Sequence, residues 1–574
     1  MNRRDFLAWG RDTVAAAVVA NPSLASLRVQ NAGSGSGAPI VETAFGRIRG
    51  ARLDGVAAFK GVSYGAPTGG NRRFLPPVAP EPWTGTRDAT ELGPRSPQPV
   101  RIMVPEMGDT LTGSGPMSED CLRLNVWTPG VGPGARRPVM VYLHGGGFRT
   151  GSGGARMYDG KELARRHDVV VVTVNHRLNV FGFLYLAENA GDKYRSSSNV
   201  GMLDIVQALE WVRDNIDRFG GDPRNVTVFG QSGGGGKTSM LLAFPAAKGL
   251  FHRAIVQSTL SDTAVRGLAR QDALKATETL LARLGVGPAD IDAVQKMPVE
   301  RLLSALVGGS GPAGETARDA RQAAGADAPL AGDLSLRFTP VVDGRTLPNH
   351  PFDPAAPAVS ADVPVLCGSV ETESVPYQAV NDPYWSTSVI DDAGLTDRVK
   401  RSLSIPDRQA AEVIALYRHG RPAATNADLA VIIASDNSTL RTSEYEIGER
   451  KAAVGKAPVY MYYFQWYSPV HDGRVRAMHC IELPFVFDHV DDLSFMVGAG
   501  RDRQPLADKV SAAWVAFARS GNPSHPGLPR WSPFTAAART TMVFDRECGV
   551  IDDPHRDERL ALQAIRTTKD AGRP

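Results

Sequence analysis

Between Phe219 and Lys237 the chain reads F-G-G-D-P-R-N-V-T-V-F-G-Q-S-G-G-G-G-K, and few local structures satisfy that order. Val226, Val228 and Phe229 make a short apolar strand, closed abruptly by Gly230-Gln231-Ser232-Gly233-Gly234. Beyond Gly236 the run Thr238–Phe244 has helical composition and stops at Pro245. Strand, tight turn and helix with a serine at the bend is the context that a G-x-S-x-G nucleophile elbow requires. The bend strains the serine, so its hydroxyl projects clear of the backbone. Gly230 and Gly234 flank it because strand and helix approach too closely there for a Cβ.

Two look-alikes test that reading. Gly61-Val62-Ser63-Tyr64-Gly65 fits the same pentapeptide. Ala66-Pro67 and Gly69-Gly70 follow it, which cannot open a helix at once, and no apolar strand is read ahead of it, so Ser63 is expected in a loop. Gly236-Lys237-Thr238 resembles the end of a phosphate-binding loop, but Gln231 stands where that motif needs a glycine.

Other short, valine-rich runs surround the elbow: Val139–Leu143, Val169–Val174, Ala254–Val256, Val363–Leu366 and Val459–Phe464. Continuous rather than alternating apolarity suits strands buried on both faces of a parallel sheet. Helical patterns lie between them, at Leu203–Phe219 and Arg503–Ala518, each with an apolar stripe at three- and four-residue spacing. The alternation predicts an α/β fold with a large, mainly parallel sheet. Ser258–Pro340 and Asp391–Gly455 read as helices alone and are expected to be insertions over the C-terminal edge of that sheet, at about 260–340 and 391–455. Within the first, Gly308–Gly332 reads as an Ala/Gly-rich surface loop.

The N-terminus carries Arg3-Arg4-Asp5-Phe6-Leu7, an apolar patch at Val14–Ala20 and Ser23-Leu24-Ala25. This predicts a twin-arginine-type signal over residues 1–25 and a periplasmic or secreted protein, the alternative being a cytoplasmic one. A flexible linker follows over 26–40 and one catalytic domain over 41–570. A net charge of +3 over 574 residues offers no basic face for nucleic acid. No stretch is long enough for stable membrane insertion. Cys121, Cys367, Cys480 and Cys548 match no metal site and are too few for a disulfide framework, which leaves one or two unassigned bridges open.

A serine hydroxyl needs a base, usually a histidine oriented by a carboxylate. In α/β-hydrolase order the acid and then the histidine follow the serine. The histidines after Ser232 are His252, His350, His419, His471, His479, His489, His525 and His555. His479 stands out by opening H-C-I-E-L-P-F directly after a loop. Glu371 and Glu373 both follow the strand-like Val363–Gly368, where catalytic side chains are delivered. His144-Gly145-Gly146-Gly147 follows Val139–Leu143, and HGGG loops of this kind supply oxyanion amides in esterases.

Taken together, these residues give a resemblance to the type-B carboxylesterases, which include cholinesterase-like and bacterial para-nitrobenzyl esterase-like enzymes. Phe219-Gly220-Gly221 with Gly230–Gly234 matches one signature, and Ser118-Glu119-Asp120-Cys121-Leu122-Arg123-Leu124-Asn125-Val126 is similar to a second. The likeness spans Val41 to Phe544. It implies an α/β-hydrolase fold and a serine carboxylic-ester hydrolase acting through an acyl-enzyme on a small-molecule ester. The family's pattern assigns Ser232 as nucleophile, Glu373 as acid and His479 as base, with Gly146, Gly147 and Gly233 lining the oxyanion hole and no cofactor or metal. A carbamate or amide hydrolase of the same family, or an adhesion protein on this fold, are the alternatives. Three positions depart from the family. Gln231 replaces the usual glutamate, Ser374 replaces a glycine, and Pro94–Ser96 stand where Cys121 would find its disulfide partner. The neutral Gln231 is expected to favour the uncharged imidazole of His479.

Overall fold

The computed structural model describes residues 37–99, 110–111, 113, 115–188, 190–287, 290–306, 336–376 and 390–571. The expected leader, most of the linker after it and the Gly308–Gly332 stretch lie outside those residues.

Eleven strands form the main sheet. In chain order they are β1 (Ala51–Leu53), β2 (Val56–Ser63), β3 (Arg123–Thr128), β4 (Arg137–Leu143), β5 (Val170–Val174) and β6 (Gly221–Gln231). They continue as β7 (Arg253–Gln257), β8 (Val365–Val370), β9 (Val459–Phe464), β10 (Thr540–Phe544) and β11 (Gly549–Asp552). Across the sheet the order is β1-β2-β3-β5-β4-β6-β7-β8-β9-β10-β11. From β5 through β10 every pairing is parallel, and the strands beyond at both edges pair antiparallel. A second, three-stranded sheet is built from Ile40–Thr43, Gly46–Arg49 and Thr86–Asp88.

The unbroken apolarity of the central strands follows from this placement. Alternate residues point to opposite faces, and both faces are covered. Val139, Val141, Val226, Val228, Ala254 and Val256 join one core, which includes Ile205, Leu209 and Val212 from the helix Val200–Asn215. Met140, Tyr142, Phe229, Ile255 and Leu366 join the other, with Leu506, Val510 and Trp514 from the helix Arg503–Ser520. Each Val, Leu, Ile, Phe or Met side chain among them contributes about 1.5–3 kcal/mol when fully withdrawn from water. Beside β5, Arg177 is buried and makes a paired contact to Asp204, at 2.6 and 2.8 Å, which also accepts from the Arg177 amide at 3.0 Å.

Two expectations are corrected. Ser63 is the last residue of β2, not part of a loop: V-A-A-F-K-G-V-S is a strand, paired with β3, and Ser63 accepts from Arg123. Lys60 and Gly61 hide it by breaking the apolar run. Its neighbourhood still lacks an elbow, because only the short 3-10 turn Gly70–Arg72 follows. The elbow helix starts earlier than its composition suggests, at Gly233, and runs to Ala243. Four consecutive glycines carry poor intrinsic helix propensity, and packing against β6 and β7 overrides it. Both blocks read as helical contain helices and no strand of either sheet among the described residues. The second holds Asp392–Leu403, Asp407–Gly420, Asn426–Asn437 and Thr439–Val454.

Candidate active site

Strand β6 ends at Gln231, and Ser232 takes φ 59°, ψ −125°, outside the ordinary regions for a residue with a side chain. The turn is held by the Ser232 amide donating to the Gln257 carbonyl at 2.8 Å and the Gly236 amide donating to Ser232 O at 3.0 Å. Both flanking glycines are required by space. A Cβ on Gly230 would lie 2.5 Å from Gly234 backbone atoms, and one on Gly234 would lie 1.9 Å from the Leu143 carbonyl. Ser232 keeps partial exposure, while Phe229–Gln231 before it and Gly233–Gly236 after it are buried.

Strand β8 delivers the acid. After Val370 the chain turns, and the Val370 amide donates to Glu373 Oε1 at 3.0 Å. The same turn pairs with the segment ahead of His479. Thr372 bridges to Met478, and the Thr372 amide donates to the Ala477 carbonyl at 3.1 Å. This brings His479 Nδ1 to 2.5 Å from Glu373 Oε2, with side-chain exposures of 2% and 0%. Burial pushes the Glu373 carboxyl up, but the adjoining imidazole, with Ser258 and the charge of Arg441, outweighs it and holds the group below the usual glutamate value. Glu371 points elsewhere: it accepts from Gln465 at 2.9 Å and faces Arg421 at 3.7 Å. Ser374 ties the acid loop to the helix Asn426–Asn437, its amide donating to Ser435 Oγ at 3.0 Å and its hydroxyl to the Val431 carbonyl at 3.1 Å.

Gln231 joins the imidazole to the elbow. Its Nε2 lies 3.3 Å from both ring nitrogens of His479, and its Oε1 accepts from Cys480 Sγ at 3.1 Å. Behind this contact lie Gln257, which donates to Glu482 Oε1 at 3.2 Å, and Trp514, which donates to Gln257 Oε1 at 3.2 Å. Burial, reinforced by the charge of Glu373, raises the Glu482 carboxyl to about 7. Sequence reasoning gives Cys480, Glu482 and Gln257 no part in the site. A glutamine closing the apolar run A-I-V-Q is the available signal for Gln257.

Strand β4 ends at Leu143, opposite Gly230 of β6, so the glycine loop emerges beside the elbow. Gly146 and Gly147 take φ 89° and 62°, which their missing Cβ permits. A Cβ on Gly145 would lie 3.4 Å from that of Ser232, and one on Gly233 would lie 2.4 Å from the Gly147 nitrogen. The amides of Gly146, Gly147 and Gly233 therefore belong to backbone packed around one serine. Gly233 also opens the elbow helix, whose first amides lack intrahelical acceptors and carry a positive partial charge. Such a set can receive negative charge on an oxygen attached next to Ser232.

All four cysteines are free. Among the described residues, no group of three or more His, Cys, Asp or Glu side chains is arranged to hold a metal, and no helix is long and apolar enough to cross a membrane.

Residues 37–563 match the model of the carboxylesterase family. The chain is 34% identical to the para-nitrobenzyl esterase of Bacillus subtilis over 91% of its own length and 98% of that protein. It is 32% identical to the phenmedipham hydrolase of Pseudarthrobacter oxydans, covering 92% and 99% of the two chains. Among solved structures, a carboxylesterase of Geobacillus stearothermophilus superposes with a TM-score of 0.74 at 35% identity, covering 91% of this chain and 100% of that one.

Proposed function

The chain belongs to the carboxylesterase family and has its α/β-hydrolase fold, and from that premise we propose that it hydrolyses esters through an acyl-enzyme formed on Ser232. In this reading His479 takes the Ser232 proton as the hydroxyl attacks the ester carbonyl. Glu373 holds the imidazole in the required tautomer and stabilises the imidazolium. The amides of Gly146, Gly147 and Gly233 receive the oxyanion. His479 then protonates the departing alcohol, and water repeats the sequence to release the acid.

The observation that carries the proposal is the buried 2.5 Å contact between Glu373 and His479, reached from strands β8 and β9 and touching the residue before a strained, partly exposed serine. A short-acyl para-nitrophenyl ester assay of the wild type and Ser232→Ala tests it. Turnover that survives Ser232→Ala overturns the nucleophile, and burst release of nitrophenol with the wild type supports the covalent intermediate. The Arg3-Arg4-Asp5-Phe6-Leu7 leader supports export by a twin-arginine route. Replacing both arginines with lysine and fractionating cells tests that reading.

A further inference from the structure

Lys237 lies on the second turn of the elbow helix and is wholly buried. Helical side chains lean toward the helix N-terminus, and this one reaches back to the glycine loop. Its Nζ donates to the His144 carbonyl at 2.7 Å and sits 5.3 Å from the centre of the Phe148 ring. Among the described residues no carboxylate pairs with it. Two imidazoles feel its charge, His144 and His176, stacked with centroids 5.0 Å apart. Burial, and next the charge of Lys237, holds both histidines well below their ordinary value, so neither carries a compensating or an added charge near neutrality. The pair Arg177–Asp204 beyond them is internally neutralised.

An uncompensated buried ammonium is expensive, and its location gives it a use. The His144 carbonyl belongs to the peptide whose N–H is that of Gly145, and the next two amides are those of Gly146 and Gly147. Fixing that carbonyl fixes the plane of the first peptide in the loop. A cation on the carbonyl side also lowers the energy of negative charge gathered on the amide side, in surroundings where water does not screen it.

We propose that Lys237 is a positioning residue for the oxyanion loop, orienting it through the His144 carbonyl and, when protonated, adding a positive charge behind it. This rests on the acyl-enzyme reading above. Burial brings the ammonium down to about 7, so the charged form that the proposal uses is the one present below that pH.

The test uses the full chain and the variants Lys237→Met, which fills the space without charge, and Lys237→Gln, which keeps a donor. Steady-state kinetics on a para-nitrophenyl ester are paired with inhibition by a trifluoromethyl ketone, whose adduct with serine places an oxyanion in the hole. Assayed below about pH 7, where the Lys237 ammonium is charged, Lys237→Met is expected to lower kcat by ~10- to 100-fold, below the loss from deleting a direct oxyanion donor. KM should stay near the wild-type value, and the ketone should weaken in step with kcat/KM. Lys237→Gln should fall between the two. If Lys237→Met does not fold, Lys237→Gln decides. A folded variant with wild-type kcat and ketone affinity overturns the proposal, as does a loss confined to KM. Ser232→Ala run alongside separates the failures: if it is inactive while the Lys237 variants are unimpaired, only this inference falls.

Discussion

Glu373 Oε2 lies 2.5 Å from Nδ1 of His479, and the two side chains come from segments joined by the Thr372–Met478 bridge. The contact fixes Nδ1 as the donor to the carboxylate and leaves Nε2 as the nitrogen able to accept a proton. Glu373→Gln keeps the shape and removes the charge. Its kcat is expected to fall about 10⁴-fold, the scale for an uncharged orienting residue in a serine triad. Glu371→Gln, directed at Arg421 and Gln465 instead, should leave kcat far less changed. Parallel kinetics on the two variants check the assignment.

The same carboxyl links stability to pH. Its folded titration lies below the unfolded one, so the native state binds fewer protons than the unfolded chain between the two values. The contribution is therefore fully present above the unfolded glutamate range and disappears as pH falls through the depressed folded value. Urea melts of wild type and Glu373→Gln should converge as the solution is acidified and diverge toward neutrality. Curves that stay parallel across that window contradict the linkage.

Gln231 places a neutral amide 3.3 Å from the His479 ring nitrogens. A carboxylate there favours the imidazolium by Coulomb attraction. Gln231→Glu is expected to move the acid limb of the kcat/KM profile to higher pH by about one unit, equivalent to about 1.4 kcal/mol. An acid limb that stays in place shows that the residue before Ser232 does not set the protonation of the base.

Much of this arrangement is legible in the sequence because it is local or patterned. The elbow is a continuous stretch, and the strands from β4 to β9 announce themselves through apolar runs buried on both faces. Glu371 and Glu373 are inseparable by spacing alone, since both follow β8. Their separation depends on which one the turn at Thr372 aims toward His479, a tertiary fact. Lys237 reads in the sequence only as the tail of an unrelated motif. Its contact with His144 spans 93 residues, and nothing in the run G-G-G-G-K announces it. Ser63 shows the opposite error: polar Lys60 and flexible Gly61 conceal a strand that pairing with β3 sustains.

Gly146 and Gly147 both occupy positive φ, but a Cβ meets different surroundings at each. On Gly146 it would lie 2.2 Å from the Thr150 carbonyl oxygen, whereas nothing lies within 4 Å on Gly147. Backbone cannot yield as a flexible side chain can. Gly146→Ala is expected to displace the loop and lower kcat by ~10²-fold or more, the scale of losing an oxyanion donor. Gly147→Ala carries only the conformational penalty of positive φ, about 1–2 kcal/mol, and should retain more activity. Equal losses in the two variants contradict the role of the Thr150 contact.

Ser232 itself stores strain at φ 59°, ψ −125°, a conformation that glycine adopts freely and residues with a Cβ do not. Ser232→Gly and Ser232→Ala should both abolish turnover, since each lacks the hydroxyl. They differ in the backbone. Ser232→Ala retains the strained Cβ, while Ser232→Gly releases it, a difference of about 1–3 kcal/mol for a residue held outside its allowed regions. The greater entropy of glycine in the unfolded chain offsets about 0.5–1 kcal/mol of that gain. Urea denaturation should therefore find Ser232→Gly the more stable variant by about 1 kcal/mol. If Ser232→Ala is equally or more stable, the bend holds no strain for the fold to release, and the exposure of the hydroxyl needs another cause.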